Sequence, residues 1–333
     1  MSEFTELVDL ASERLGGAVL AASDEFFAPR ENLLKAAKPV WIEDKYTDAG
    51  KWMDGWETRR HRAPDHDWCI IRLGLRGVLR GVVVDTSFFK GNFPEKCSLE
   101  ACRTEGQPDA ATLASAATPW TEVLAISPLR GDTQNLFEIR RSDTFTHLRF
   151  HIYPDGGVAR LRAYGEVAPD WENIRRAGGR VDLAAVENGG LVAAASDMFF
   201  GSRHNLILPG PSRGMHDGWE TRRRRGPGFD WSIIRLGAPG TIEYIEVDTS
   251  HFKGNFPESC SLEVCHAPGA TPEQVSSGDN KWQEILARTK LQAHTRHTYE
   301  SALEGTAVAA THARFNIYPD GGVARLRLWG RLS

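Results

Sequence analysis

The chain has 333 residues, of which 41% are hydrophobic and 25% are charged, and its formal net charge is -4. This composition is typical of soluble globular proteins and does not favour binding to nucleic acid or to an anionic membrane. No apolar run approaches the roughly 18 residues of a membrane-spanning helix, and the first residues, MSEFTELVDLASERLGG, lack the basic and apolar regions of a secretory signal. We therefore expect a cytoplasmic protein of about two domains.

Four of the five cysteines form two repeated pairs, Cys97 with Cys102 and Cys260 with Cys265. An odd number of cysteines in a chain without an export signal is typical of a reducing compartment. Residues five apart on a strand point to opposite faces, so the two thiols of a pair are not expected to share a zinc ion. The spacing predicts buried structural thiols, and we expect no metal site.

Four phrases occur twice, in the same order, in the two halves of the chain. They are LGGAVLAASDEFF (15–27) and NGGLVAAASDMFF (188–200), DGWETRRHR (54–62) and DGWETRRRR (217–225), DTSFFKGNFPEKCSLE (85–100) and DTSHFKGNFPESCSLE (248–263), and IYPDGGVARLR, unchanged at 152–162 and 317–327. A repeat this long indicates a tandem duplication of whole domains and not a solenoid. We expect a first repeat over residues 10–165, a linker over 166–182 and a second repeat over 183–330.

The predicted elements are mostly short strands. In chain order, residues 3–14 are compatible with a short helix, the β-branched runs 67–87 and 230–250 predict strands, and residues 120–126 and 282–287 suggest one further helix per repeat. Asp-Gly-Gly supplies the positive-φ residues of a tight turn and predicts a β-hairpin within 147–165. Short strands with frequent Gly and Pro turns predict an all-β fold of two tandem jelly-roll β-sandwich domains.

The phrase DGWETRR places a carboxylate beside two guanidinium groups. On a strand after the Asp-Gly turn, Glu57 and Arg59 would share one face, and Trp56, Thr58 and Arg60 the other. Arginine offers a bidentate contact to a substrate carboxylate, and glutamate handles a proton. The alternative is a structural Glu–Arg ion pair beside a buried tryptophan. The corresponding candidates of the second repeat are Glu220, Arg222 and Arg223.

The phrase DTSFFKGNFPE crowds polar groups onto the loop after a strand. A loop held by a rigid sheet is a common place for a binding site, and Gly91 before Asn92 lets the backbone approach a ligand. The same residue types also satisfy their own turns, so the phrase is equally explained as a corner of the sandwich. The candidate binding residues of this loop are Lys90 and Asn92, with Lys253 and Asn255 in the second repeat.

The two repeats differ at a few positions near these phrases. His251 stands where the first repeat has Phe88, and the first repeat alone carries the insertion KPVWIEDKYTDAGKW at 38–52. Histidine is an acid or base near neutral pH, so His251 is a catalytic candidate, and the alternative is a surface histidine on a turn. No HExxH, GxSxG, GxxxxGK[ST] or strand-to-helix GxGxxG motif occurs, so nucleotide-dependent and serine-hydrolase chemistry are not supported.

The duplicated phrases SDEFF, DGWETRRHR, DTSFFKGNFPE and YPDGGVARLR resemble the allantoicase family over residues 10–330, in the same order and with the same duplication. The resemblance implies two jelly-roll domains similar to galactose-binding or discoidin-like modules, and homo-oligomers. It also implies hydrolysis of allantoate to (S)-ureidoglycolate and urea in purine breakdown. We expect allantoate as the partner and no cofactor.

Allantoate is a glyoxylate carbon that carries one carboxylate and two ureido groups, and loss of urea breaks a C–N bond at that carbon. The site therefore needs a cation for the carboxylate, amide-recognising groups for the ureido arms, and an acid/base pair. The four arginines at 59, 60, 222 and 223 suit the first role, and the asparagines at 92 and 255 suit the second. The candidates for the third role are Glu57, Glu220 and His251.

Several hypotheses remain open at this point. The repeats face one another or a neighbouring subunit, so that each contributes part of a cleft, or one repeat is catalytic and the other is a scaffold. An enzymatic alternative is a hydrolase that acts on a related ureide such as ureidoglycolate. A non-enzymatic alternative is a ligand-binding β-sandwich protein, for which Trp41, Tyr46 and Trp52 of the insertion would form an aromatic platform.

Overall fold

The computed structural model describes residues 3–61, 65–277, 280–300, 303 and 309–333. The chain divides into two compact units, Met1–Ala168 and Pro169–Ser333. Strands dominate each unit and the helices are short, which confirms the predicted all-β class. The predicted linker, 166–182, contains the end of one strand, a helix and a short strand.

The first unit consists of twelve described strands, one α-helix and three 3-10 turns. The strands are β1 (Val8–Asp9), β2 (Ala18–Ala22), β3 (Tyr46–Thr47), β4 (Gly50–Lys51), β5 (Trp56–Glu57), β6 (Asp67–Asp85), β7 (Lys96–Cys102), β8 (Thr121–Pro128), β9 (Gln134–Glu138), β10 (Thr144–Tyr153), β11 (Gly157–Val158) and β12 (Arg160–Val167). The helix is α1 (Ala110–Ala114), and the 3-10 turns are Glu3–Glu6, Glu13–Leu15 and Arg30–Leu34.

The second unit repeats this order of elements with two differences: it begins with an α-helix, and among its described residues a 3-10 turn stands where the first unit has β3 and β4. Its helices are α2 (Trp171–Ala177) and α3 (Pro272–Ser276), and its 3-10 turns are Val186–Asn188, Arg203–Ile207 and Met215–Asp217. Its described strands are β13 (Val181–Asp182), β14 (Leu191–Ala195), β15 (Trp219–Glu220), β16 (Asp230–Asp248), β17 (Ser259–Cys265), β18 (Gln283–Lys290), β19 (Arg296–Tyr299), β20 (Ala310–Tyr318), β21 (Gly322–Val323) and β22 (Arg325–Leu332).

The long strand β6 organises the first unit. Its first half pairs with β2 and β10, and its second half pairs with β12 and β9. Beyond these neighbours, β7 and β8 extend one side and β1 the other, all antiparallel. Because β6 exchanges its neighbours along its length, it belongs to both layers of a jelly-roll sandwich, and β16 does the same in the second unit.

Alternating side chains of these strands fill the space between the layers. On β10, Leu148, Phe150 and Ile152 are fully buried and pack in one cluster with Leu99 of β7 and Leu161 of β12. The period of two follows from the pleat of the strand, and it explains why the apolar and polar residues of β10 alternate in sequence.

The predicted helices at 3–14, 120–126 and 282–287 are wrong. Residues 3–14 contain two 3-10 turns with β1 between them, and the other two segments lie almost entirely in β8 and β18. β8 pairs with β7 and β18 pairs with β17, so inter-strand hydrogen bonds replace the helical ones that local propensity favours. Within the described residues no helix is long and apolar enough to cross a membrane.

The predicted hairpin at 147–165 is also wrong, because β6 lies between β10 and β12. Instead, Gly157 and Val158 form β11, which pairs with β5. Gly156 has φ +136°, and a Cβ on Gly157 would lie 1.9 Å from the ring of Phe89. The two glycines therefore let the backbone cross over a buried phenylalanine.

All five cysteines are free and buried. Cys97 packs in the cluster between the layers, whereas Cys102 packs with Ile70 and Leu113 beside α1, so the pair points to opposite faces as predicted. Burial raises the pKa of Cys97 to about 12 and that of Cys102 to about 11, with a small opposing effect of Arg149 on the latter. These thiols stay protonated at neutral pH and act as small apolar groups.

Candidate active site

Three of the duplicated phrases meet at one place in the first unit. Thr58, from DGWETRR, donates its backbone N–H to Gly156 O at 3.2 Å, and Gly156 N–H donates to Thr58 Oγ1 at 3.1 Å. Gly157 N–H donates to Asn92 O, from KGNFPE, at 2.7 Å. The three phrases therefore pack together around Glu57, which pairs with Gly157 between β5 and β11.

A buried ion pair fixes the turn before Glu57. Arg160 is 2% exposed and donates from Nη2 to Asp54 Oδ2 at 2.8 Å and from Nη1 to Asp54 O at 2.9 Å. Arg325 and Asp217 form the same pair in the second unit, at 3.1 Å. A guanidinium that bonds both the carboxylate and the carbonyl of one residue holds that residue in a single orientation.

Glu57 and Asn92 form the centre of the site. Asn92 Nδ2 donates to Glu57 Oε1 at 2.6 Å, and the side chain of Glu57 is buried. Burial raises the pKa of Glu57, and the hydrogen bond from Asn92 opposes this only in part. The carboxyl group therefore keeps its proton to a higher pH than an exposed glutamate, as an acid catalyst requires. In the second unit Asn255 Nδ2 donates to Glu220 Oε1 at 2.5 Å.

The cleft of the first unit has two lobes that share Phe27, Glu57, Gly91 and Asn92. The apolar lobe, of about 710 Å³, is further lined by Trp41, Lys51, Met53, Phe88 and Lys90. The polar lobe, of about 590 Å³, is further lined by Thr58, Arg60, His61, Phe93, Glu95, Pro154, Asp155 and Gly156. Glu57 and Asn92 therefore stand between an apolar wall and a charged wall.

The second unit has a cleft of about 710 Å³ around Glu220 and Asn255. Its wall is charged, with Arg223, Arg224, Glu258, Lys290 and Asp320 among the residues that line it. Trp41 and Lys51 of the apolar lobe belong to the insertion. The second unit has no such segment, since nineteen residues separate Leu34 from Asp54 but only nine separate Ile207 from Asp217. The two clefts share their centre and differ in their walls.

The predicted alternation of DGWETRR does not hold, because β5 ends at Glu57. Arg60 lines the polar lobe together with Glu57, while Arg59 is bound to Asp24, with Nη2 to Oδ1 at 2.8 Å. The structure therefore brings Glu57 together with Arg60 and turns Arg59 away. Arg223 likewise lines the second cleft, and the guanidinium of Arg222 lies 4.1 Å from the centre of the Phe199 ring.

The remaining predicted residues lie in different places. Lys90 lines the apolar lobe, 4.0 Å from Asp132 Oδ2, whereas Lys253 is exposed and is not among the described residues that line the second cleft. His251 donates from Nε2 to Ser212 O at 3.0 Å, and its backbone N–H donates to His294 Nδ1 at 2.7 Å. It has φ +73°, as Phe88 has φ +71° at the matching position, so both residues form the same strained turn.

Sequence reasoning missed Lys51 and treated Trp41 only as part of an aromatic platform. The available signal was the insertion itself, since it occurs in one repeat only and lies directly before DGWETRR. Among the residues that the structure describes, no group of three or more His, Cys, Asp and Glu side chains is arranged to hold a metal ion. The side chains that the clefts do bring together are carboxyls, amides and cations.

The fold and the clefts define a class of protein, a tandem jelly-roll protein with a carboxyl–amide site in each repeat. The family model of the allantoicase repeat matches residues 8–168 and 181–333. The chain is 49% identical to an allantoicase of Dictyostelium discoideum, over 97% of this chain and 87% of that protein. It is 50% identical to a probable allantoicase of Pseudomonas aeruginosa strain LESB58, over 98% of this chain and 97% of that protein.

A solved structure of allantoicase from Saccharomyces cerevisiae has a TM-score of 0.84 to this chain. The two are 36% identical, and the match covers 99% of this chain and 97% of that chain. With both repeats matched and these relatives aligned over nearly their whole length, the chain belongs to the allantoicase family.

Proposed function

We propose that this protein hydrolyses allantoate to (S)-ureidoglycolate and urea, as a hydrolase acting on C–N bonds in linear amidines. Membership of the allantoicase family over both repeats supports this proposal. The observation that carries it is the buried Glu57 carboxyl, held by Asn92 between the lobes of a cleft that is also lined by Lys51, Lys90 and Arg60. The raised pKa of Glu57 supplies the proton donor that a poor leaving group such as urea needs.

The reaction proceeds in two steps in this proposal. Glu57, protonated, gives its proton to the nitrogen of one ureido arm, and the C–N bond breaks with its electron pair on that nitrogen. The nitrogen of the other arm donates its lone pair to the central carbon, which gives a transient iminium ion. Water then adds to the carbon and gives a proton to the Glu57 carboxylate, so that the products are urea, ureidoglycolate and the original acid.

Other residues bind and orient the substrate. Asn92 keeps the Glu57 carboxyl in place and offers its amide to a ureido group, which has the same donor and acceptor pattern. Arg60 in the polar lobe and Lys90 in the apolar lobe make the walls attractive to an anion. Arg59 contributes by holding Asp24, whose backbone oxygen accepts a hydrogen bond from Trp56 Nε1 at 2.8 Å.

We assign most of the turnover to the first cleft. Burial beside an apolar lobe raises the pKa of Glu57, whereas Glu220 is more exposed and lies in a charged cleft. His251 is assigned a positioning role, because its Nε2–H is held by the Ser212 carbonyl in the loop that replaces the insertion. In this assignment Asn255 and Arg223, which line the second cleft, bind substrate without limiting the rate, and Lys253, which lies outside it, has no role in binding.

Paired substitutions test the assignment. Glu57→Gln keeps the side-chain volume but removes the acid, so kcat is expected to fall about 10²- to 10⁴-fold. Glu220→Gln is the matched control in the same phrase, and it is expected to have a much smaller effect, as is His251→Ala. Equal losses in Glu57→Gln and Glu220→Gln would contradict a single dominant cleft, and a large loss in His251→Ala would return the acid/base role to that histidine.

We further propose that the protein is a homo-oligomer, as the resemblance implies, and that it is cytoplasmic, as its free cysteines favour. Light scattering on the purified full chain measures the oligomeric state, and a monomer at working concentration would refute this part. Ureidoglycolate, run in parallel as a substrate, separates allantoate hydrolysis from action on a related ureide. Release of urea from ureidoglycolate but not from allantoate would favour that alternative.

A further inference from the structure

Lys51 is the cation that the insertion brings to the apolar lobe. It lies on the hairpin of β3 and β4, where it pairs with Tyr46, and its Nζ is 4.9 Å from the centre of the Tyr46 ring and 4.6 Å from that of Trp41. Nζ also donates to Ile42 O at 3.2 Å. Two aromatic faces and a carbonyl hold an ammonium group in one position without removing its charge.

Lys51 forms no ion pair with any residue that the structure describes. Among the described residues no carboxylate lies within ion-pair distance of its Nζ, whereas Lys90 has Asp132 at 4.0 Å and is 79% exposed. The carboxyl group that lines the apolar lobe is Glu57, and burial raises its pKa above that of an exposed glutamate. The hydrogen bond from Nζ to Ile42 O is exposed to solvent, so an anion that enters the cleft can reach the ammonium group.

The polar lobe offers a weaker site for an anion. Arg60 lines it together with Glu95 and Asp155, so its positive charge is accompanied by two negative ones. The second cleft lacks the hairpin, because the matching loop is ten residues shorter, nine against nineteen. Its wall combines cations with Glu258 and Asp320 in the same way.

We propose that Lys51 binds the carboxylate of the substrate in the apolar lobe, and that it makes the first cleft selective for ureides that carry a carboxylate. This proposal rests on the proposed function, since it names the group that recognises the anionic end of allantoate. With the carboxylate at Lys51, the ureido arms extend toward Asn92 and the polar lobe, and the central C–N bond comes next to Glu57. The ring centre of Trp41 lies 6.1 Å from that of Phe88, so Trp41 contacts both Lys51 of the hairpin and Phe88 of the cleft wall.

The test compares two lysines of the same hairpin in the full chain. Lys51→Ala removes the proposed carboxylate partner. Lys45→Ala is the matched control, because Lys45 also lies over an aromatic ring, that of Trp52 at 3.8 Å, but does not line the cleft. The two readouts are KM for allantoate and the inhibition constant of methylenediurea, which carries both ureido groups and no carboxylate.

Lys51→Ala is expected to raise KM for allantoate about 10- to 100-fold, the effect of losing one charge-assisted hydrogen bond, and to leave the inhibition constant of methylenediurea unchanged. Lys51→Arg should restore most of the affinity, and Lys45→Ala should change neither value. An equal loss for both ligands in Lys51→Ala would mean that the lysine only supports the wall, and no loss for allantoate would also overturn the proposal.

If the protein does not hydrolyse allantoate, the test of Lys51 uses binding instead of kinetics. In that case the wild-type protein releases no urea from allantoate, and calorimetric titration of allantoate into the same three variants replaces the kinetics. Weaker binding in Lys51→Ala alone would still support the carboxylate site, while equal binding in Lys51→Ala and Lys45→Ala would refute it.

Discussion

Gly157 is expected to tolerate no side chain, and Gly157→Ala tests the packing that positions Glu57. An added Cβ would lie 1.9 Å from Phe89 Cε1 and 2.1 Å from Cδ1, where ordinary contacts begin at 3.4 Å. Phe89 is fully buried against Met53 and Ala159, so its ring can move away only by displacing these neighbours. Overpacking of a close-packed site costs about 1–3 kcal/mol, and the severity of this contact favours the upper end.

A loss of about 3 kcal/mol in a unit of this size lowers its melting temperature by roughly 6–12 °C. Circular dichroism during heating measures the change. The backbone of Gly157 pairs with Glu57, so a displaced β11 also displaces the acid, and kcat should fall in the protein that remains folded. In the second unit Gly322→Ala, with a Cβ 2.0 Å from Phe252, is expected to repeat the loss of stability.

Gly91→Ala is the control, since a Cβ there meets nothing within 4 Å. It should leave the melting temperature unchanged. A second variant, Gly157→Ala with Phe89→Leu, makes room for the methyl group and should recover part of the stability. If Gly157→Ala alone is as stable as the wild type, the explanation of the duplicated Asp-Gly-Gly phrase by close approach to a phenylalanine is wrong.

Three further predictions concern charge and protonation. Asn92→Ala removes the hydrogen bond that opposes the raised pKa of Glu57, so the alkaline limb of the pH–rate profile should move to higher pH, and an unmoved limb would exclude Glu57 as its origin. Asp54→Ala leaves Arg160 buried without its partner and should cost about 3–5 kcal/mol in denaturant unfolding, whereas an unchanged unfolding midpoint would mean that water reaches the pair. Burial lowers the pKa of His312 to about 4 from an ordinary 6.5, with a further contribution from Arg235, so the folded state binds fewer protons than the unfolded state. The stability from the neutral ring is present above pH 6.5 and is lost as the pH falls toward 4, by roughly 3 kcal/mol, and His312→Asn should flatten this dependence in acid unfolding.

The sequence predicted those residues near the cleft that lie in duplicated phrases. Glu57, Asn92 and Arg60 lie in phrases that occur twice, and a phrase kept through duplication has to fit the same surroundings in both units. The phrases also predicted the all-β class, because turn residues and alternating strands act locally. The pattern of short strands and turns predicted the jelly-roll sandwich, and the family resemblance pointed to the same architecture.

The failures share a physical cause, since each depends on a contact between residues distant in the chain. Asp-Gly-Gly has the composition of a tight turn, but Phe89, more than sixty residues earlier, determines how its glycines are used. The predicted alternation put Arg59 on the face of Glu57, but Arg60 lies there instead. The alternation fails because β5 ends at Glu57, where it pairs with β11. Lys51 lies in an insertion, and no pattern within the insertion indicates that its hairpin folds against the cleft.

The most direct test of the account is urea release from allantoate by the purified full chain, with Glu57→Gln measured beside it. The account predicts one urea and one ureidoglycolate for each allantoate consumed, and a loss of about 10²- to 10⁴-fold in kcat for Glu57→Gln with the fold intact. A folded wild-type protein that releases no urea would contradict the proposed function. Full turnover in Glu57→Gln would keep the reaction but show that its acid lies elsewhere.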